Sequence, residues 1–278
     1  MVRIVTDTAS DITAAQAAAM NIELVPLVTS FGDEVCPMST DADYDAFYEK
    51  LRVCDKLPAT GRPAPQKYID IYERAKKAGD DVLVITLSSG LSGTYESACV
   101  AADMTGYDRV TVIDSLQAVM SQRILVEHAV KLRGEGRAIG EMIESVRSLK
   151  DRVTVVGVIG SLAYLRKGGR IPPALGILGD ALGIKPVITV IDGKIVDTGK
   201  ARGYKAGVAM SLKKVAADGI DTSYPVCFGY TSDRVLGEAY MQGAMERFGI
   251  EEAKLCQVNG IIGTHLGTDS VGVAYIKK

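Results

Sequence analysis

Along the chain, short β-branched apolar runs alternate with segments whose apolar residues recur at helical spacing, which predicts repeated strand-helix units. Residues 3–6 read as a strand ending at Thr6 and Asp7, and Ser10 to Met20 as an alanine-rich helix stopped near Asn21. Ile22 to Val28 reads as one further strand. The segment STDADYDAFYEKL at 39–51 starts another helix, and its acids suit a helix start and a solvated face better than a metal. Gly61, Pro63 and Pro65 hold residues 60–65 as an extended loop before a helix whose apolar face is Tyr68, Ile71, Tyr72 and Ala75, ending at Gly79. The run Val82 to Leu87 then breaks at Ser88, and helical spacing resumes near Tyr95. A strand from Arg109 to Asp114, helices at about 117–133 and 139–150, and the strand Val153 to Ile159 follow.

From Gly160 the pattern changes. A basic loop, Arg166 to Arg170, precedes an apolar stretch in which Gly176, Gly179 and Gly183 interleave with Leu and Ile. That stretch suits either a buried helix on the sheet or a wall lining an acyl-chain tunnel. Asp192 and Gly193, flanked by Val187 to Ile191 and Lys194 to Thr198, predict a two-residue hairpin. Helices at about 205–217 and 234–248 alternate with strands at Val226 to Tyr230, Lys254 to Val258 and Val271 to Ile276. His265 falls between glycines in an expected loop. The reading is an α/β fold of two domains: residues 1–152 with a mostly parallel sheet flanked by helices, and residues 153–278 in α+β style with antiparallel pairing.

Composition narrows the chemistry. Hydrophobic residues make up 47% of the 278, aromatics only 6%, and Trp is absent, so the interior is aliphatic and suits aliphatic ligands. A formal charge of -2 provides no general attraction to nucleic acid or an anionic membrane. Five scattered cysteines without a C-x-x-C pair indicate a reducing compartment. With no leader-like N-terminus and no run of membrane-spanning length, a cytoplasmic, soluble protein is expected. Two histidines exclude a metal centre built on several imidazoles but not one made mostly of carboxylates. His128, inside a helix with no companion ligand, reads as a packing or surface residue.

The strand-loop-helix crossing at 80–102 is the strongest candidate site. Ser88, Ser89, Ser92 and the amides near Gly93 suit an anion at a helix start, although Ser92 or Thr94 capping its own helix is the commoner use of such a loop. Asp7, Thr8 and Ser10 stand at a strand's C-terminal end, where ligands gather in open α/β sheets, and they equally suit a helix cap. Asp114 and Ser115 end another strand in the same way, and the Thr60 hydroxyl is a further anion donor.

Four stretches occur in one order: TGRPA at 60–64, SSGLSGTY at 88–95, SLAYLRKGGRI at 161–171 followed by IKPVITVIDGKI, and IGTHLG at 262–267. With VTDTASD at the start and VIDS at 112–115, the ordered set resembles the DegV family over nearly the whole chain. That resemblance implies a two-domain protein holding a long-chain fatty acid in a tunnel between the domains. It also implies a carrier subunit that presents the acyl carboxylate to a separate ATP-dependent fatty acid kinase, with no catalytic residues, metal or cofactor of its own. It assigns Thr60, Ser92 and Gly93 to the carboxylate, adds His265 and Arg170 at the tunnel mouth, and leaves Arg170 and Arg202 to the ligand, the product phosphate or the partner. The chain departs from the family's T-S-Q-P-S, which here is TGRPA with an extra Arg62, from the Gly-Pro-Gly after the histidine motif, here Gly267, Thr268, Asp269, and from the Ser/Gly-rich helix start after VIDS, here LQAVMSQ.

Other classes fit less well. GLSGT is not the G-x-S-x-G of a serine hydrolase, and no G-x-G-x-x-G follows the first strand. The nearest alternative is a substrate subunit resembling dihydroxyacetone kinase, with a small carbonyl compound held at His265; that reading requires a small polar pocket.

Overall fold

The computed structural model describes residues 1–171 and 183–278, so the channel wall expected around Gly176 and Gly179 lies outside the described residues. β1 (Val2–Asp7) runs into a 3-10 turn at Thr8–Ser10, and α1 (Ala14–Ala19) begins later than the spacing predicts. The delay has a local cause: Asp11 adopts a left-handed φ of 55°, and Thr13 with Gln16 forms a reciprocal capping box that sets the helix start. The single strand expected at Ile22 to Val28 is two. β2 (Glu23–Val25) stops before Pro26, which has no N–H for a ladder, and β3 (Val28–Phe31) joins a different sheet with β4 (Glu34–Val35) and β5 (Ala59–Gly61).

The rest of the first half follows the pattern closely: α2 (Asp41–Val53), α3 (Pro65–Ala78), β6 (Asp81–Thr86), α4 (Thr94–Thr105), β7 (Val110–Asp114), α5 (Val119–Gly134) and α6 (Ile139–Lys150). Its four-stranded sheet, in order β2-β1-β6-β7, is parallel throughout. The second half contains β8 (Val153–Val158), α7 (Ala163–Lys167), β9 (Ile184–Ile191), β10 (Lys194–Arg202), α8 (Tyr204–Asp218), β11 (Cys227–Tyr230), α9 (Arg234–Phe248), β12 (Lys254–Gln257), α10 (Gly260–Leu266) and β13 (Val271–Ile276). Its six strands run β10-β9-β8-β13-β11-β12, antiparallel except for the parallel β11-β12 pair. The β9-β10 turn places Asp192 at φ 49° and Gly193 at φ 75°, the left-handed pair that a tight hairpin requires.

One helix ties the halves together. α5 packs against β1 and β6 of the parallel sheet and against β8, β11 and β13 of the mixed one, and every side chain from Val119 to Val126 is buried. A helix buried on all sides over two turns has to be enclosed by two layers; its polar Ser121, Gln122 and Arg123 are hydrogen-bonded there, and the largest core cluster joins Ile4, Leu83 and Ile85 to Val153, Val155 and Ala274 around it. Among the described residues no helix is long and apolar enough to cross a membrane, and no group of three or more His, Cys, Asp or Glu could hold a metal ion. All five cysteines are free. His128 packs beside Tyr224 with Nε2 2.8 Å from Ser145 Oγ.

Candidate functional site

Where the halves meet, a cavity opens between them, with about 1000 Å³ of space once its mouth to solvent is included. Its walls are aliphatic: Leu27, Leu87 and Leu91 from the first half, Val155, Ile188 and Val258 from the second, with Ile261, Ile262 and Leu266 of α10 closing one side. Thr189, Thr231 and Ser270 also line it, and their hydroxyls are engaged with Val155 O, with Ser270 N and with Leu266 O. The polar groups left for a ligand are Thr60, Ser92, Arg62, Arg170 and His265.

Each reaches the cavity for a local reason. Thr60 lies on β5, registered opposite Thr29 of β3, so the small third sheet delivers its side chain. His265 is on the last turn of α10, not in a loop between glycines as the sequence pattern predicts. Asn259 makes the difference: its Oδ1 accepts hydrogen bonds from Ile261 N and Ile262 N and caps the helix, an Asn N-cap that was readable in the sequence. The two side chains meet with Thr60 Oγ1 3.0 Å from His265 Nε2, across 205 residues of sequence.

His265 is held neutral. Burial first, and the Arg170 cation second, push its pKa down to about 4. Its Nδ1 is buried without a hydrogen-bond partner among the described residues. A buried acceptor left unpaired is better tolerated than a buried unpaired N–H, so the proton is assigned to Nε2, which donates to Thr60 Oγ1. The Thr60 hydroxyl hydrogen is then free to donate to a ligand. Gly168 backs the ring, and a Cβ built there would collide with Nδ1.

The loop at 88–95 divides its serines between structure and cavity. Ser92 lines the cavity with its Oγ 2.9 Å from Thr94 Oγ1, and neither caps α4, whose N-cap Gly93 makes no side-chain hydrogen bond. Gly93 lies against Arg62: a Cβ there would sit 2.7 Å from Nη1. Arg62 in turn pairs with Glu96. Arg170 lines the cavity and donates to the carbonyls of Leu91 and Gly168. On the outer side, Thr60, Arg170 and His265 also line a second depression together with Asp55, Lys56 and Lys167.

The remaining candidates from the sequence are placed elsewhere. Ser88 Oγ donates to Gly193 O at 2.7 Å, which fastens the loop to the β9-β10 turn. Ser89 N and Leu116 N both donate to Asp114 Oδ1, and Ser115 Oγ closes a turn with Gln117. The buried Asp7 carboxylate accepts from Leu87 N, Ala9 N and Gln122 Nε2, and burial raises its pKa to about 6. Ser10 Oγ donates to Asp7 O. Arg202 is exposed at the end of β10 and does not line the cavity. Spacing alone overlooked Met120 at the start of α5, which lines the cavity, and Asp11, which holds Asn259.

Comparison with known proteins agrees with this architecture. The family model described as "Uncharacterised protein, DegV family" matches residues 1–278. A DegV domain-containing protein of Clostridium perfringens is 31% identical, with 100% of this chain and 99% of the relative covered. Among solved structures, a DegV family protein from Thermus thermophilus described as fatty acid binding superposes with a TM-score of 0.88 at 27% identity, covering 100% of this chain and 99% of the other. DegV from Bacillus subtilis, described as a fatty acid binding protein, superposes with a TM-score of 0.85 at 25% identity and the same coverage. With the family model matched from the first residue to the last and the fold shared at full length, this chain belongs to the DegV family.

Proposed function

We propose that this chain binds a long-chain fatty acid, with the acyl chain in the aliphatic cavity and the carboxylate at Thr60, Ser92 and His265, and Arg170 at the mouth. The observation that carries the reading is an apolar cavity ending at a half-buried, neutral histidine hydrogen-bonded to a threonine. Each buried methylene contributes about 0.8 kcal/mol, and each hydrogen bond to the charged carboxylate roughly 1.5–3 kcal/mol. Aliphatic burial therefore supplies the affinity and the polar end the orientation. The names of the Thermus and Bacillus proteins, both fatty acid binding, support the same ligand class.

The finer reading is a carrier without catalytic residues of its own, which presents the carboxylate to a separate ATP-dependent kinase subunit. It is supported by the depression outside His265 and Thr60, where Lys56, Lys167 and Arg170 provide cations for an acyl phosphate or an acidic partner surface. A small carbonyl compound at His265, as in dihydroxyacetone kinase, fits poorly with so long and apolar a lining. Organic extraction of the purified protein followed by mass spectrometry tests the ligand class: acyl species are expected. No acyl species, together with no uptake of added fatty acid, overturns it. Acyl phosphate is expected only when a kinase subunit and ATP are added, and turnover by the isolated chain overturns the carrier reading.

A further inference from the structure

We infer that Met120 is the residue that sets how long an acyl chain this protein accepts, an inference that rests on the fatty acid reading above. Met120 lines the cavity and is only 2% exposed, so its side chain occupies space a ligand tail would need. What lies beneath it is unusual for the middle of a sheet. Gly157 of β8 is registered opposite Gly272 of β13, and Gly272 opposite Gly229 of β11, and all three line the cavity. Three adjacent central strands thus present bare backbone along one row.

The Met120 thioether fills the far part of that row. A Cβ on Gly229 would sit 2.5 Å from Met120 Sδ and 2.6 Å from Cε, and one on Gly272 would be 3.7 Å from Cε. A Cβ on Gly157 would meet Ile159, Ile188 and Val271 O but not Met120. Over Gly157 the nearest neighbours are Ile159 and Ile188 at ordinary van der Waals distance, whereas over Gly229 the row is plugged tightly by one unbranched side chain, that of Met120. Methionine is unbranched with three rotatable bonds, so it packs into the gap over the glycines without strain and holds the space that a longer tail would need.

The backbone just before Met120 is strained in the way expected of a functional wall. Val119, which also lines the cavity, adopts a φ of 52°, a conformation that a β-branched residue avoids. Nothing in helix formation requires it, since α5 is continuous from this residue onward.

The test compares wild type, Met120→Ala, Gly229→Ala and the double variant by competition with a series of saturated acids from lauric to arachidic acid, alongside thermal unfolding. Met120→Ala is expected to move the preferred chain to longer acids, with a gain of about fourfold in affinity for each extra methylene buried. Gly229→Ala is expected to drive Met120 into the channel and shift preference to shorter acids. The double variant is expected to lose that second shift, because the thioether that the new methyl displaces is gone. An unchanged chain-length profile in Met120→Ala, with the protein folded and binding acid, overturns the inference and leaves the carrier reading intact. If wild type binds no acid of the series, the fatty acid reading itself fails.

Discussion

Asp11 Oδ1 accepts two hydrogen bonds from Asn259, from its backbone N at 3.0 Å and its side-chain Nδ2 at 2.9 Å, across a sequence separation of 248 residues. Asn259 in turn caps α10 and donates to Thr8 O, so the N-terminal loop of one half holds the helix that carries His265 in the other.

Breaking that clasp should be felt at the histidine. Asp11→Ala leaves the buried Asn259 N–H without its acceptor, while Nδ2 keeps Thr8 O, and should cost about 1–3 kcal/mol in stability. Because only His128 and His265 are present, imidazole NMR titration resolves both. In Asp11→Ala the His265 pKa should rise from about 4 towards the ordinary value of 6.5 as α10 loosens, with His128 as an internal control. An unmoved His265 titration would mean that α10 is held without Asp11.

Stability should depend on pH with opposing contributions. His265 is depressed from 6.5 to about 4, so the unfolded state binds more protons between those values, and this group's contribution is lost as pH falls through that window. Asp7 and Asp11 are raised from 3.8 to about 6 and about 7, mainly by burial, so the folded state binds more protons there and gains stability as pH falls. The difference between wild type and His265→Gln isolates the histidine. Relative to wild type, the variant should gain on the order of 3 kcal/mol between pH 7 and pH 4 in denaturant titrations. A constant difference across that range would refute a neutral His265 in the folded protein.

At the polar end of the cavity, Ser92→Ala and Thr60→Val should each weaken fatty acid binding by roughly 1–3 kcal/mol, through loss of one hydroxyl donor to a charged group. A fatty alcohol of equal length should be much less affected. Arg170→Ala should lower phosphorylation by a kinase subunit more than it lowers acyl binding. Wild-type affinity for acid in both hydroxyl variants would move the carboxylate elsewhere.

Gly168 and Gly169 make a paired test. Gly168→Ala puts a methyl against His265 Nδ1 and should weaken acid binding to about the extent that His265→Ala does. At Gly169 a Cβ meets no atom of the described residues within 4 Å, and the φ of 68° opposes a side chain, so Gly169→Ala should cost about 1 kcal/mol of stability and leave binding intact. Equal binding losses in the two variants would point to the loop backbone rather than the imidazole.

Local order was legible in the sequence wherever one periodicity decided it. The helices at 139–150 and 234–248, the strand Val271–Ile276 and the Asp192–Gly193 hairpin follow from spacing and turn chemistry alone, because their determinants lie within a few residues. The motifs also contained Thr60, Ser92, Arg170 and His265, all of which line one cavity. The use of each polar residue was not legible, because it depends on partners far along the chain. Ser88 meets Gly193 and Asp7 meets Leu87 and Gln122, so hydroxyl and carboxylate groups at strand ends serve the fold, whereas Thr60 meets His265 at the cavity. Only the tertiary structure places Met120 over Gly229 or lowers the pKa of His265. Both effects come from enclosure, which is a property of the two layers packed around α5 and of no single segment.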